Sequence, residues 1–189
     1  TKQSEQQMFT SVSFNQDSSC FIAGRVDGFS IFTTNPAQEI VRRTFSEQFG
    51  VKVCAMHYKT SLIAFTGDRT DLLAAHISKY PKFQHLREPI GFSENLEQKF
   101  YPNVVYLFDD AEQKFVGRLR FASEVHSIKF RNNCIAVSLL HQIYLHSLAD
   151  LSLIDVVNTA DFGPQFGLST IGDDFLLAYV TPGVQGRVG

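Results

Sequence analysis

Residues 14–36 read FNQDSSCFIAGRVDGFSIFTTNP, and the pattern of this stretch decides the fold. Two short runs, Cys20–Gly24 and Gly28–Thr33, flank Val26-Asp27-Gly28. Alternation with a period of two marks half-buried strands. Asp-Gly supplies the positive φ that a tight hairpin needs. The turn Asn15-Gln16-Asp17-Ser18 separates this pair from an earlier strand, Met8–Phe14, and Gln38–Phe45 adds a fourth. The stretch therefore predicts the interior of a four-stranded antiparallel unit.

The same pattern recurs along the chain. Val51–Tyr58 and Ser61–Thr66 read as strands, as do Asn103–Asp109 and Lys114–Phe121. Val125–Phe130, Cys134–Leu139, Gln142–Ser147 and Ser152–Asn158 follow, then Gln165–Ser169 and Asp174–Val180. VYLF ends at Phe108 and IYLH at His146, 38 residues later. FSIF ends at Phe32, one such period before Phe108 plus a length close to that of the irregular stretch 67–102. A four-stranded unit of about 40 residues is the signature of a propeller blade. Neither a sandwich nor a barrel requires that repeat. The expected fold is all-β, a β-propeller of four-stranded antiparallel blades. Residues 1–189 read as the amino-terminal part of one propeller. Blade 1 is about 8–45, blade 2 about 51–121 with a long loop at 67–102, blade 3 about 125–158, and a partial blade 4 about 165–189. The loop has two internal prolines and balanced charge, with a short helix predicted near Leu72–Tyr80. Rings close with about four to eight blades. Three and a half blades leave open apolar faces, so further polypeptide or a second chain is expected to complete the ring.

Composition narrows the function. The chain is 44% hydrophobic and 19% charged, with 18 Phe and no Trp, which suits half-buried strands. A net charge of −2 gives no overall basic field for nucleic acid, and none is expected as a partner. Cys20, Cys54 and Cys134 are odd in number and widely spaced, with no CxxC. They read as buried free thiols of a reducing compartment. No signal peptide and no apolar run of 18 residues is seen, so a cytoplasmic protein is expected. His141 and His146 sit five apart on a strand and face opposite ways, which is poor metal geometry. Asp109-Asp110 and Asp173-Asp174 lie beside turns and read as turn formers. There is no GxSxG motif or P-loop. No enzymatic activity, catalytic residue, metal or cofactor is expected.

A family resemblance then becomes specific. Phe14-Asn15-Gln16-Asp17, Gly28-Phe29-Ser30-Ile31-Phe32 and Asn35-Pro36 resemble the first blade of the PROPPIN family. SLIAFTG (residues 61–67) and NVVYLFDD (103–110) are similar to second-blade strands, with Phe108 in a Trp position. ASEVHSIKFRNNCIAVSLLHQIYLHSLADLSLIDVVNT resembles the third blade, and FLLAYVTPGVQGRVG a fourth-blade run. The resemblance implies a propeller that is seven-bladed when complete. It implies a phosphoinositide effector and adaptor in autophagy or endosomal traffic, binding phosphatidylinositol 3-phosphate or the 3,5-bisphosphate. Such a protein is cytoplasmic and is recruited peripherally to autophagosomal, endosomal or vacuolar membranes. The family's Phe-Arg-Arg-Gly motif, between its fifth and sixth blades, supplies one Arg to each of two lipid pockets. Residues 1–189 lack it, so no lipid-binding residue is assigned here and the lipid site is expected beyond Gly189. VRRTFS (41–46) does not replace it: adjacent strand residues diverge, so Arg42 and Arg43 cannot share one pocket. The present blades are expected to act as scaffold and as a surface for autophagy proteins at blades 2–3. Lys129 and Arg131 are the candidate partner-binding residues there. The alternative is a generic WD-repeat interaction scaffold without lipid binding.

Overall fold

Asp27 and Gly28 close the hairpin that the sequence marks. β2 (Cys20–Arg25) pairs antiparallel with β3 (Gly28–Thr34), from Cys20 opposite Thr33 to Arg25 opposite Gly28. Gly28 has φ of 154°, and a Cβ there would lie 2.0 Å from the Arg43 carbonyl oxygen. Only glycine fits this turn. β1 (Phe9–Phe14) pairs with β2 on one side, and β4 (Ala37–Thr44) with β3 on the other, giving the order β1-β2-β3-β4. The computed structural model describes residues 9–45, 50–68, 86–87, 100–159, 165–170 and 175–180.

The second sheet contains β5 (Val51–Met56), β6 (Leu62–Gly67), β7 (Leu86–Arg87), β8 (Val104–Asp109) and β9 (Lys114–Arg120), in the order β5-β6-β8-β9-β7. The stretch read as a loop at 67–102 thus supplies a strand. Leu86 and Arg87 pair with Arg120 and Leu119 on the outer edge of β9. Two residues carry no periodicity, which is why the sequence did not show this strand. The helix expected near Leu72–Tyr80 lies outside the described residues. The third sheet runs β10 (Ser127–Arg131), β11 (Cys134–Ser138), β12 (Gln142–Ser147), β13 (Leu153–Asn158), in that order. A hairpin of β14 (Phe166–Leu168) and β15 (Leu177–Tyr179) follows. The described residues contain strands and turns and no helix.

The sheets stack in chain order around three successive cores. Ile22, Phe29 and Ile31 of the first sheet pack on Ile63, Phe65 and Phe108 of the second. The other face of the second sheet offers Ala64, Val105 and Leu107 to Ile128, Ile135 and Val137 of the third. Ala136, Ile143 and Leu145 then meet Phe166. Ile63, Ala64 and Phe65 therefore alternate between two cores. A strand covered on both faces loses the apolar–polar alternation of a half-exposed one, and β11 is buried throughout.

The phenylalanines concentrate between the first two sheets. Phe45 lies 5.3 Å from Phe65, 5.2 Å from Phe100 and 5.8 Å from Phe108, ring centre to ring centre. Phe29 packs edge-on against Phe108 at 6.2 Å. Offset and edge-to-face pairs of this kind add about 0.5–1.5 kcal/mol each beyond the area they bury. The opposite face of the first sheet carries a second ladder. Phe21 stacks on Phe32 at 4.9 Å, Phe14 flanks Phe21, and Phe9 flanks Phe32.

Candidate functional site

The innermost strands β1, β5 and β10 stand side by side and enclose a cavity of about 760 Å³. Residues 168 and 170, at the end of β14, close part of its wall. The turns that follow the three inner strands meet at one mouth of this channel. Asn15 is buried, its Oδ1 accepting the Cys20 N–H at 3.0 Å and its Nδ2 donating to Ser19 Oγ and to the Tyr58 carbonyl. Gln16 Nε2 donates to the carbonyls of Met56 and Phe130, both at 3.2 Å, and Gln16 Oε1 accepts the Tyr58 N–H. His57 Nε2 donates to the Asn132 carbonyl at 2.7 Å, and Tyr58 Oη to Asn132 Oδ1 at 2.7 Å. The Phe-Asn-Gln-Asp turn is therefore a three-sheet tie. Asp17 completes it locally by accepting from Ser19, whose hydroxyl holds the carboxyl below its usual range.

Two ion pairs join neighbouring sheets. Arg43 donates Nε and Nη2 to the two carboxylate oxygens of Asp110, at 2.6 and 3.1 Å. Arg42 instead forks onto Glu39 of its own strand, so the two adjacent arginines diverge as strand geometry requires. Lys52 of β5 pairs with Glu124 before β10. Asp109 accepts the N–H groups of Ala111 and Glu112, and Ser61 first, with this turn, keeps its carboxyl below the usual range.

Lys129 and Arg131 lie on the same face of β10, two residues apart, and point toward the β14–β15 hairpin. The Lys129 ammonium sits 5.2 Å from the centre of the Phe166 ring. Arg131 is 3% exposed, donates Nη1 to Ser169 Oγ, and covers Phe175 at 5.4 Å. Ile128 and Phe130, between and beside them, face the second sheet instead. Both cations thus occupy the seam between the third sheet and the hairpin. The face they share depends on which blade packs on which side of β10.

The three cysteines are buried free thiols. Burial pushes the Cys54 thiol up to about 12, which keeps it protonated and unreactive. His146 is buried, with Nδ1 donating to the Leu151 carbonyl at 3.0 Å, while His141 is exposed. Among the described residues no cluster of three or more His, Cys, Asp or Glu forms a metal site.

Successive four-stranded antiparallel sheets around a common channel define a section of a β-propeller. No family model matches the chain. Autophagy-related protein 18e of Arabidopsis thaliana is 27% identical over 152 residues, covering 79% of this chain and 33% of that protein. The solved structure of Kluyveromyces lactis Hsv2 superposes with a TM-score of 0.69 at 16% identity, covering 97% of this chain and 45% of that one. KlAtg21, solved in complex with the coiled coil of AgAtg16, gives 0.62 at 19% identity, covering 92% and 47%. The chain spans about a third of the length of the curated relatives it matches. In sequence and in fold the chain is similar to a part of these PROPPIN β-propellers.

Proposed function

We propose that this chain is the scaffold section of a PROPPIN effector that works in autophagy or endosomal membrane traffic, by binding and not by catalysis. The observation that carries the reading is the match to autophagy-related protein 18e across most of the chain. The protein reads phosphatidylinositol 3-phosphate or the 3,5-bisphosphate through blades beyond Gly189 and is recruited from the cytoplasm to the membranes that display them. Residues 1–189 contain no Arg-Arg-Gly, and their paired arginines are committed to Glu39 and Asp110, which supports locating the lipid contacts elsewhere. Two headgroup pockets acting together multiply a weak single affinity.

The outer surface of the second and third sheets serves protein partners. The solved pairing of KlAtg21 with a coiled coil favours a helical partner of that type. Lys129 and Arg131 would reach such a partner only along the seam beside the hairpin.

Liposome flotation of the full-length protein tests the lipid reading. Recovery with vesicles carrying either phosphoinositide should exceed recovery with phosphatidylinositol vesicles by at least about tenfold. Equal recovery would leave a WD-repeat scaffold without a lipid role.

A further inference from the structure

The central cavity has a charge opposite to that of the molecule. The chain carries a net charge of −2, yet the described lining includes Lys52, Lys129 and His126 and no Asp or Glu. Lys52 is answered by Glu124. Lys129 is not: among the described residues no carboxylate lies within ion-pair reach, and its ammonium rests on the Phe166 ring. It is half-buried, and that burial pulls its pKa below the ordinary lysine value. A cation held away from bulk water without a counter-charge is the unfavourable half of an ion pair.

Neutral donors line the same cavity. Ser127 lies on the same face of β10, two residues from Lys129, and lines the cavity. Thr170 lines it from the segment after β14, the strand that carries Phe166. Neither hydroxyl has a side-chain hydrogen bond among the described residues, whereas the neighbouring Ser169 hydroxyl is taken by Arg131. At about 760 Å³ the cavity falls in the range of small-molecule pockets.

We propose that the channel binds a soluble, phosphate-bearing anion, with Lys129 Nζ as its charge partner and the Ser127 and Thr170 hydroxyls as flanking donors. A phosphate group has enough oxygens to accept from an ammonium and two hydroxyls at once, which a carboxylate with two oxygens does less well. A soluble ligand is the one that fits a site lined by the inner strands β1, β5 and β10. This inference is independent of the lipid function, which concerns residues beyond Gly189.

Calorimetric titration of the 189-residue chain with inorganic phosphate and with inositol hexakisphosphate tests it. Saturable binding of at least one probe is expected, and Lys129→Gln should weaken it by at least about tenfold, as loss of a charge-assisted hydrogen bond implies. Thr170→Val should weaken it severalfold, and Lys59→Gln, in an exposed turn, should not change it. Absence of saturable binding overturns the proposal, as does unchanged affinity in Lys129→Gln. Should that variant fail to fold, unchanged affinity in Thr170→Val overturns it instead. Binding to vesicles carrying phosphatidylinositol 3-phosphate, without binding to either soluble probe, also overturns it.

Discussion

The side-chain amide of Gln16 donates to the backbone carbonyl of Phe130 at 3.2 Å, across 114 residues of chain. The same amide reaches Met56 at 3.2 Å, so one turn residue of the first sheet fastens the inner strands of the next two. Gln16→Ala leaves two carbonyls and the Tyr58 N–H without this partner. A loss of about 2 kcal/mol in stability is expected from guanidinium unfolding. Gln16→Glu should fare no better, because a carboxylate can accept from Tyr58 but cannot donate to either carbonyl.

Arg43 and Asp110 form a two-point bridge between the first and second sheets, partly open to solvent. A double-mutant cycle with Arg43→Ala and Asp110→Ala should give a coupling of about 1 kcal/mol or less, shrinking as salt is raised. Arg42→Ala should change stability by less, since the Arg42–Glu39 pair joins residues of one exposed strand. A coupling that is zero at low salt would remove Arg43 from the contacts that join the sheets.

Gly28 is the position where backbone geometry alone sets the residue. In Gly28→Ala the added methyl meets the Arg43 carbonyl, and the φ of 154° is unfavourable for any L side chain. A loss of about 3 kcal/mol is expected. Thermal unfolding followed by circular dichroism measures it, and an unchanged midpoint would contradict the turn geometry described.

The thiols provide a readout of core integrity. Ellman's reagent should label none of Cys20, Cys54 and Cys134 rapidly in the native chain and all three in guanidinium. Burial raises the folded pKa of Cys54 to about 12 from an ordinary 9.0. Its contribution to stability is therefore complete below pH ~9 and is lost as pH rises toward 12. Cys54→Ala should flatten the fall in unfolding midpoint across that window relative to the parent chain.

Strand positions were largely legible, because they rest on local chemistry. Gln142–Ser147 is read from alternation and observed with the same bounds, and Asp27-Gly28 closes its hairpin as turn chemistry dictates. Side-chain partners were less so. Asp110 carries the local signal of a turn residue, yet its carboxylate receives Arg43 from another sheet. Lys129 and Arg131 carry the signal of a basic strand end, yet both turn into a seam formed by residues 166–175. Nothing within a few positions of these residues encodes what lies across from them.

Local sequence set the repeating four-stranded unit, its turns, and through them the likeness to the PROPPIN propellers. Period-two alternation, Asp-Gly geometry and a spacing of 38 residues are properties of neighbouring positions and of the repeat. Which face of each strand meets which neighbour was set by the packing of whole sheets. That packing made the Phe14-Asn15-Gln16-Asp17 turn a tie across three sheets, and it gathered Lys129, Ser127 and Thr170 around one channel whose described lining holds no carboxylate. The reason is physical: a strand has two equivalent faces, and the stacking of whole sheets selects between them.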